Sequence, residues 1–154
     1  MIELNNKTKQ DFLDEEWVSR LLSVGVNMLD CRYWIVEDDD HKRYIALKSV
    51  ETASAMHTQF VCPTYTISEL LYKLHEYIYP TINGVEYSGM LTLYKDAPFY
   101  PAMYELHDKD GKHNEDVFMC PCEYPIDSLA SLLYLCHTND IGIGAPDTGD
   151  ISDK

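Results

Sequence analysis

Cations are scarce in this chain. Twelve lysines and arginines face 26 aspartates and glutamates, which leaves a net charge of −14 over 154 residues. A nucleic-acid-binding surface needs cations to neutralise phosphates, and anionic membranes attract basic segments, so neither partner is expected. No apolar run approaches the roughly 20 residues that span a bilayer. The opening residues, MIELNNKTKQDF, hold no apolar signal core, and the chain is read as unsecreted and cytoplasmic. The common catalytic signatures are missing as well: there is no G-x-S-x-G elbow, no glycine-rich phosphate loop and no H-E-x-x-H. No catalytic residue, cofactor or metal ligand is assigned, and the expectation is a protein without enzymatic activity.

What is present suffices for a packed core. The chain is 45% hydrophobic and carries 12 tyrosines, too much core material for a disordered chain. Its length is most simply one domain, expected over 1–141, with 142–154 (GIGAPDTGDISDK) as a flexible acidic tail. Five cysteines at irregular spacing are expected as free thiols, several of them buried.

The segment 64–79, TYTISELLYKLHEYIY, organises the rest. Ile67, Leu70, Leu71, Leu74 and Ile78 recur at i, i+3, i+4, i+7 and i+11, one apolar stripe along a helix. Pro63 and Pro80 bracket it. Thr66 and Glu69 fit a capping box, and Glu69 with Lys73 is a favourable i, i+4 pair for the outer face. Upstream, Phe12, Leu13, Trp17, Leu21 and Leu22 predict a helix that carries Asp11, Asp14, Glu15 and Glu16 and stops at Gly25. Residues 32–37 and 43–50 read as strands joined by the turn DDDHK; residues 51–62 are ambiguous, with 59–62 readable as extended. Downstream, Asn83-Gly84 and Asp110-Gly111 are turns between strands at 86–94, 102–107 and 114–120. A last helix over 127–137 is apolar nearly all round. The fold class is α+β: a mainly antiparallel sheet of four to five strands with three helices. Pro63 to His75 echoes Pro125 to His137 at an offset of 62, which a duplicated ββα unit would explain; shared helix vocabulary is the alternative.

Three constellations are candidates for binding. Tyr72, His75 and Tyr79, with Ser68, form a second stripe on the central helix, and Tyr134 with His137 repeats part of it on the last; such amphipathic aromatics suit a ligand or partner surface. Glu37, Asp38, Asp39 and Asp40 form an acidic surface, compatible with a basic partner protein, though consecutive residues cannot converge on one ion. Cys120-Pro121-Cys122, with His107 and His113 upstream, has zinc-type donors; free thiols in a strand-to-helix connection are expected there instead. Asp108-Lys109-Asp110-Gly111 begins like a calcium loop, but the glycine comes too early and turn chemistry explains it better. Cys62, expected near a helix start, would have a lowered pKa.

At its two leucine-rich helices the chain resembles small acidic proteins encoded in phages and prophages. These carry a P-T-x-x-E-L-L helix in mid-chain and an A-x-x-L-A-x-L-L-x-x-L helix near the end. The matching residues are Pro63-Thr64 with Glu69-Leu70-Leu71, offset by two residues, and Ser128 to Leu133; a tryptophan often follows E-L-L in that group, where this chain has Tyr72. The resemblance implies a mobile-element accessory protein and transfers no functional residue. The function expected is therefore a non-enzymatic, cytoplasmic accessory or regulatory protein that binds another protein, one form being inhibition of a host factor. The alternatives are a small-ligand, nucleotide-like binder and a thiol or zinc protein. Homo-oligomerisation is left open.

Overall fold

The computed structural model describes residues 2–5, 8–48, 57–114 and 119–139. The tail at 142–154 lies outside them, as do residues 49–56. The class is α+β, with three α-helices and two antiparallel sheets among the described residues. The chain divides into two compact units, Met1–Glu69 and Leu70–Lys154, and each is built around its own hairpin.

In the first unit, helix α1 spans Glu15–Ser23. It begins later than its acids suggest. Asp14 is the N-cap and accepts a 2.9 Å bond from the Trp17 amide, while Asp11 sits in the turn before it, its amide donating to Thr8 O. Phe12 bridges Thr66 instead of joining the helix. Gly25 ends α1 as expected: its amide donates to Leu22 O and that of Val26 to Leu21 O, the paired bonds of a Schellman cap.

Strands β1 (Ile2–Glu3), β2 (Tyr33–Glu37), β3 (Arg43–Leu47) and β4 (Gln59–Thr64) form a sheet of order β1-β3-β2-β4. Helix α1 packs on β4. Pro63 is inside β4, opposite Trp34, rather than before a helix. An edge strand tolerates it because the missing N–H costs no ladder bond on the open side.

The central helix, α2, runs only Ile67–Lys73, and the boundary between the units falls within it. Its capping box is real: Thr66 N–H donates to Glu69 Oε1 at 3.0 Å, and Glu69 N–H donates to Thr66 Oγ1 at 3.2 Å. Lys73 is buried, not on an outer face. The apolar period runs on to Ile78, but the helix does not. Tyr77–Ile78 becomes β5 and pairs with the longest strand, a use that suits aromatic and β-branched residues. The buried Tyr104 hydroxyl donates to the His75 carbonyl at 2.5 Å, capturing an acceptor just past the helix end. Ile78 is a core residue all the same.

The second unit is built on β7 (Val85–Leu93) and β8 (Ala102–Asp108), paired from Leu93 opposite Ala102 to Tyr87 opposite Asp108. Strand β6 (Thr81–Ile82) turns into β7 through Asn83 and Gly84, both at positive φ, as a two-residue hairpin requires. Strands β9 (His113–Asn114) and β10 (Met119–Cys120) both pair with β8. Helix α3, Pro125–Thr138, starts two residues early because proline fits the first helical position. It buries Ile126, Leu129, Ala130, Leu132, Leu133 and Cys136 against β8 and β10.

The echoed segments occupy different places. Pro63 lies in a strand, and Pro125 opens a helix. The strand before α2 joins the first strand of its hairpin, β2, whereas β10 joins the second of its own, β8.

Candidate functional site

The acidic residues at 37–40 are divided between structure and surface. Asp38 Oδ1 accepts the amides of Asp40 and Lys42, both at 2.9 Å, and Oδ2 accepts the Tyr44 hydroxyl. The His41 amide donates to Asp38 O, and Asp38 and Lys42 close the strands. Glu37 gives one oxygen to Arg43 Nε at 2.7 Å and the other to His41 Nδ1 at 3.0 Å; Arg43 also reaches Glu15. The bond with His41, then that with Arg43, holds Glu37 below the usual carboxylate range. The Lys42 amide does the same for Asp38. Only Asp39 and Asp40 are left at the tip as exposed charge.

The turn at 108–112 repeats this construction. Asp108 Oδ1 accepts the amides of Asp110 at 2.9 Å and Lys112 at 2.7 Å. The Gly111 amide donates to Asp108 O, and the Asp108 amide donates to Lys112 O. His41 (φ 65°) and Gly111 (φ 81°) hold the same left-handed position. The calcium-like run is thus a turn, its first carboxylate spent on backbone amides. What flanks it differs. His107 and His113 are opposite each other across β8 and β9, their ring centres 5.0 Å apart. Glu105, two residues before His107, shares its face of the strand, and its Oε2 is 3.7 Å from His113 Nε2. The ligand atoms of all three lie within 4.8 Å of one another. Cys120 and Cys122 are not in this group. Glu105 was missed in the sequence, yet E-x-H on a strand, a D-x-D-G turn and a histidine six residues on would have placed it.

The thiols are held protonated. Burial raises all of them: Cys31, Cys120, Cys122 and Cys136 move up, and Cys62 is pushed up to about 12. Cys62 lies in β4, not at a helix start, so the expected lowering does not occur.

The tyrosine–histidine stripe does not survive as a helix face, because α2 ends at Lys73. Tyr72 is exposed on α2, His75 follows it, and Tyr79 is exposed beyond β5. Tyr72 and His75 still line one shallow concavity of about 610 Å³, with Leu71, Glu76, Tyr77 and Leu91. Tyr134 and His137 are half-buried on α3 and do not line it.

A narrower groove of about 430 Å³ lies in the first unit, lined by Leu22, Met28, Leu29, Trp34, Phe60 and Pro63 among others. Its walls are nearly all apolar. Trp34 and Phe60 meet edge to face at 4.9 Å, Leu29 is 78% exposed and Phe60 52%. Lys48 is the one cation of the lining, and its ammonium donates to Leu29 O. Sequence periodicity could not reveal this groove, since Met28 and Leu29 lie in a loop and Leu22, Trp34, Phe60 and Pro63 come from three elements.

The chain matches no family model, no curated protein and no solved structure. Among the described residues no helix is long and apolar enough to cross a membrane.

Proposed function

We propose that the chain is a non-enzymatic accessory protein that holds an apolar, net-basic segment of a partner protein in the groove of its first unit. The observation that carries this reading is the groove itself: Trp34 and Phe60 meet edge to face in its lining, and Leu29 and Phe60 are exposed to solvent, on a chain rich in carboxylates. Pockets of this size with apolar walls commonly take one anchoring side chain or small apolar group. The net charge of −14 favours a basic partner in the encounter. Five thiols raised by burial fit a protein that does no thiolate chemistry. The resemblance to phage- and prophage-encoded proteins supports a mobile-element setting in the cytoplasm, where the partner would be a host factor.

The test is selection from a random peptide library on the immobilised chain. Enriched peptides are expected to share an apolar anchor flanked by lysine or arginine, and to lose binding to Leu29→Asp and Phe60→Asp. Both positions are exposed, so the fold should tolerate the changes. Peptides that bind these variants as well as the parent would overturn the reading. A second reading, a small ligand at Tyr72 and His75, rests on the concavity those residues share; a thermal shift with nucleotides that Tyr72→Ala abolishes would favour it.

A further inference from the structure

The geometry points to a binding site for one divalent transition-metal ion on the second hairpin, formed by Glu105, His107 and His113. The site follows from strand arithmetic. Along β8, Ala102, Tyr104 and Leu106 are buried, so Met103, Glu105 and His107 face outward. The turn at 108–112 fixes the register that sets His113 directly across from His107. Two imidazoles and a carboxylate thereby share one face with no long-range folding required.

Two histidines and one glutamate form a ligand set for zinc with a fourth position left open, and the same donors suit other late first-row ions. Bonds of about 2.0–2.2 Å put tetrahedral ligand atoms about 3.4 Å apart. Glu105 Oε2 and His113 Nε2 are already at 3.7 Å, and the whole set is within 4.8 Å. Torsions of three side chains that are not buried close the remainder. The ring of His107 is oriented for the task. Its Nδ1 faces the Gly111 carbonyl at 3.4 Å; a carbonyl only accepts, so this contact favours the tautomer protonated at Nδ1, which leaves the Nε2 lone pair for the ion. Such outer partners commonly fix a ligand histidine. Across β8, Ser88 and Met90 of β7 stand opposite His107 and Glu105, so neither directly opposed position on the β7 side holds a cation. The first hairpin offers the control: its equivalent pair is Glu37 and Arg43, which neutralise each other.

The test is calorimetric titration of the full chain with zinc chloride alone, in the presence of a non-chelating reductant. One ion per chain is expected. Glu105→Gln and His113→Ala should each weaken binding by at least about 10-fold, and Cys120→Ser with Cys122→Ser should leave it unchanged. Glu105→Gln keeps size and exposure, so its effect does not depend on refolding. Cobalt is expected to give a visible band without thiolate charge transfer. Absence of saturable binding, binding indifferent to Glu105→Gln and His113→Ala, or a thiolate band would each overturn the site.

Discussion

The turns at 38–42 and 108–112 are built alike, and they end in opposite chemistry. In both, one aspartate collects two backbone amides and a left-handed residue closes the loop. Beside the first, Glu37 and Arg43 face each other and His41 joins them. Beside the second, the facing pair is His107 and His113. The third position differs as much: Ile35 is fully buried where Glu105 is exposed. The turn is thus a structural part used twice. The side chains that flank it decide whether the hairpin is closed on itself or open to a ligand.

The comparison can be broken from beneath. Leu106 is buried between Glu105 and His107 along β8. Leu106→Ala should cost about 2–5 kcal/mol in chemical denaturation and loosen the register that pairs the histidines. A transplant sharpens the comparison. In a His113→Ala background, Glu37→His with Arg43→His and His41→Asn sets two imidazoles beside the first turn but leaves Ile35 in place of the carboxylate. Zinc affinity there should be at least about 10-fold weaker than at the second hairpin, by the same calorimetry. Asp108→Ala removes an acceptor from two amides and should cost about 1–2 kcal/mol; Asp38→Ala should destabilise too, without touching zinc affinity.

Smaller effects separate the left-handed positions. A Cβ on Gly111 meets nothing within 4 Å, so Gly111→Ala should cost about 1 kcal/mol through backbone strain alone. His41→Gly relieves that strain but gives up the bond to Glu37, and the melting temperature should stay level or rise. The smallest effect is that of pH. Glu37 and Asp38 are lowered from ordinary values of 4.5 and 3.8. Their contribution is therefore complete above those values and is lost as pH falls below them. Melting from about pH 5 to about pH 3 should show a shallower decline in Glu37→Gln than in the parent.

Much of this fold was legible in local residues. Asn83-Gly84, Asp110-Gly111 and the DDDHK run located hairpins because turn chemistry is set by the residues in the turn. Thr66 and Glu69 located a helix start for the same reason. The helix end was not legible, since Leu74 and Ile78 keep a helical period while β7 recruits Tyr77 and Ile78 as a strand. Pro63 misled in the same way: only its edge position permits it in β4. At the candidate sites, the sequence groups His107 and His113 with Cys120 and Cys122, and the E-x-H spacing and D-x-D-G turn point to Glu105 only once they are read together as a strand register. The groove around Trp34 and Phe60 required the tertiary fold.

The most direct test is a two-dimensional amide NMR titration with zinc, which reads both hairpins in one sample. Saturable shifts at Glu105, His107, Gly111 and His113, with Asp39 to Lys42 unmoved, are the expected result. Equal shifts at both turns, or none at the second, would contradict the claim that one turn serves a closed hairpin and an open one.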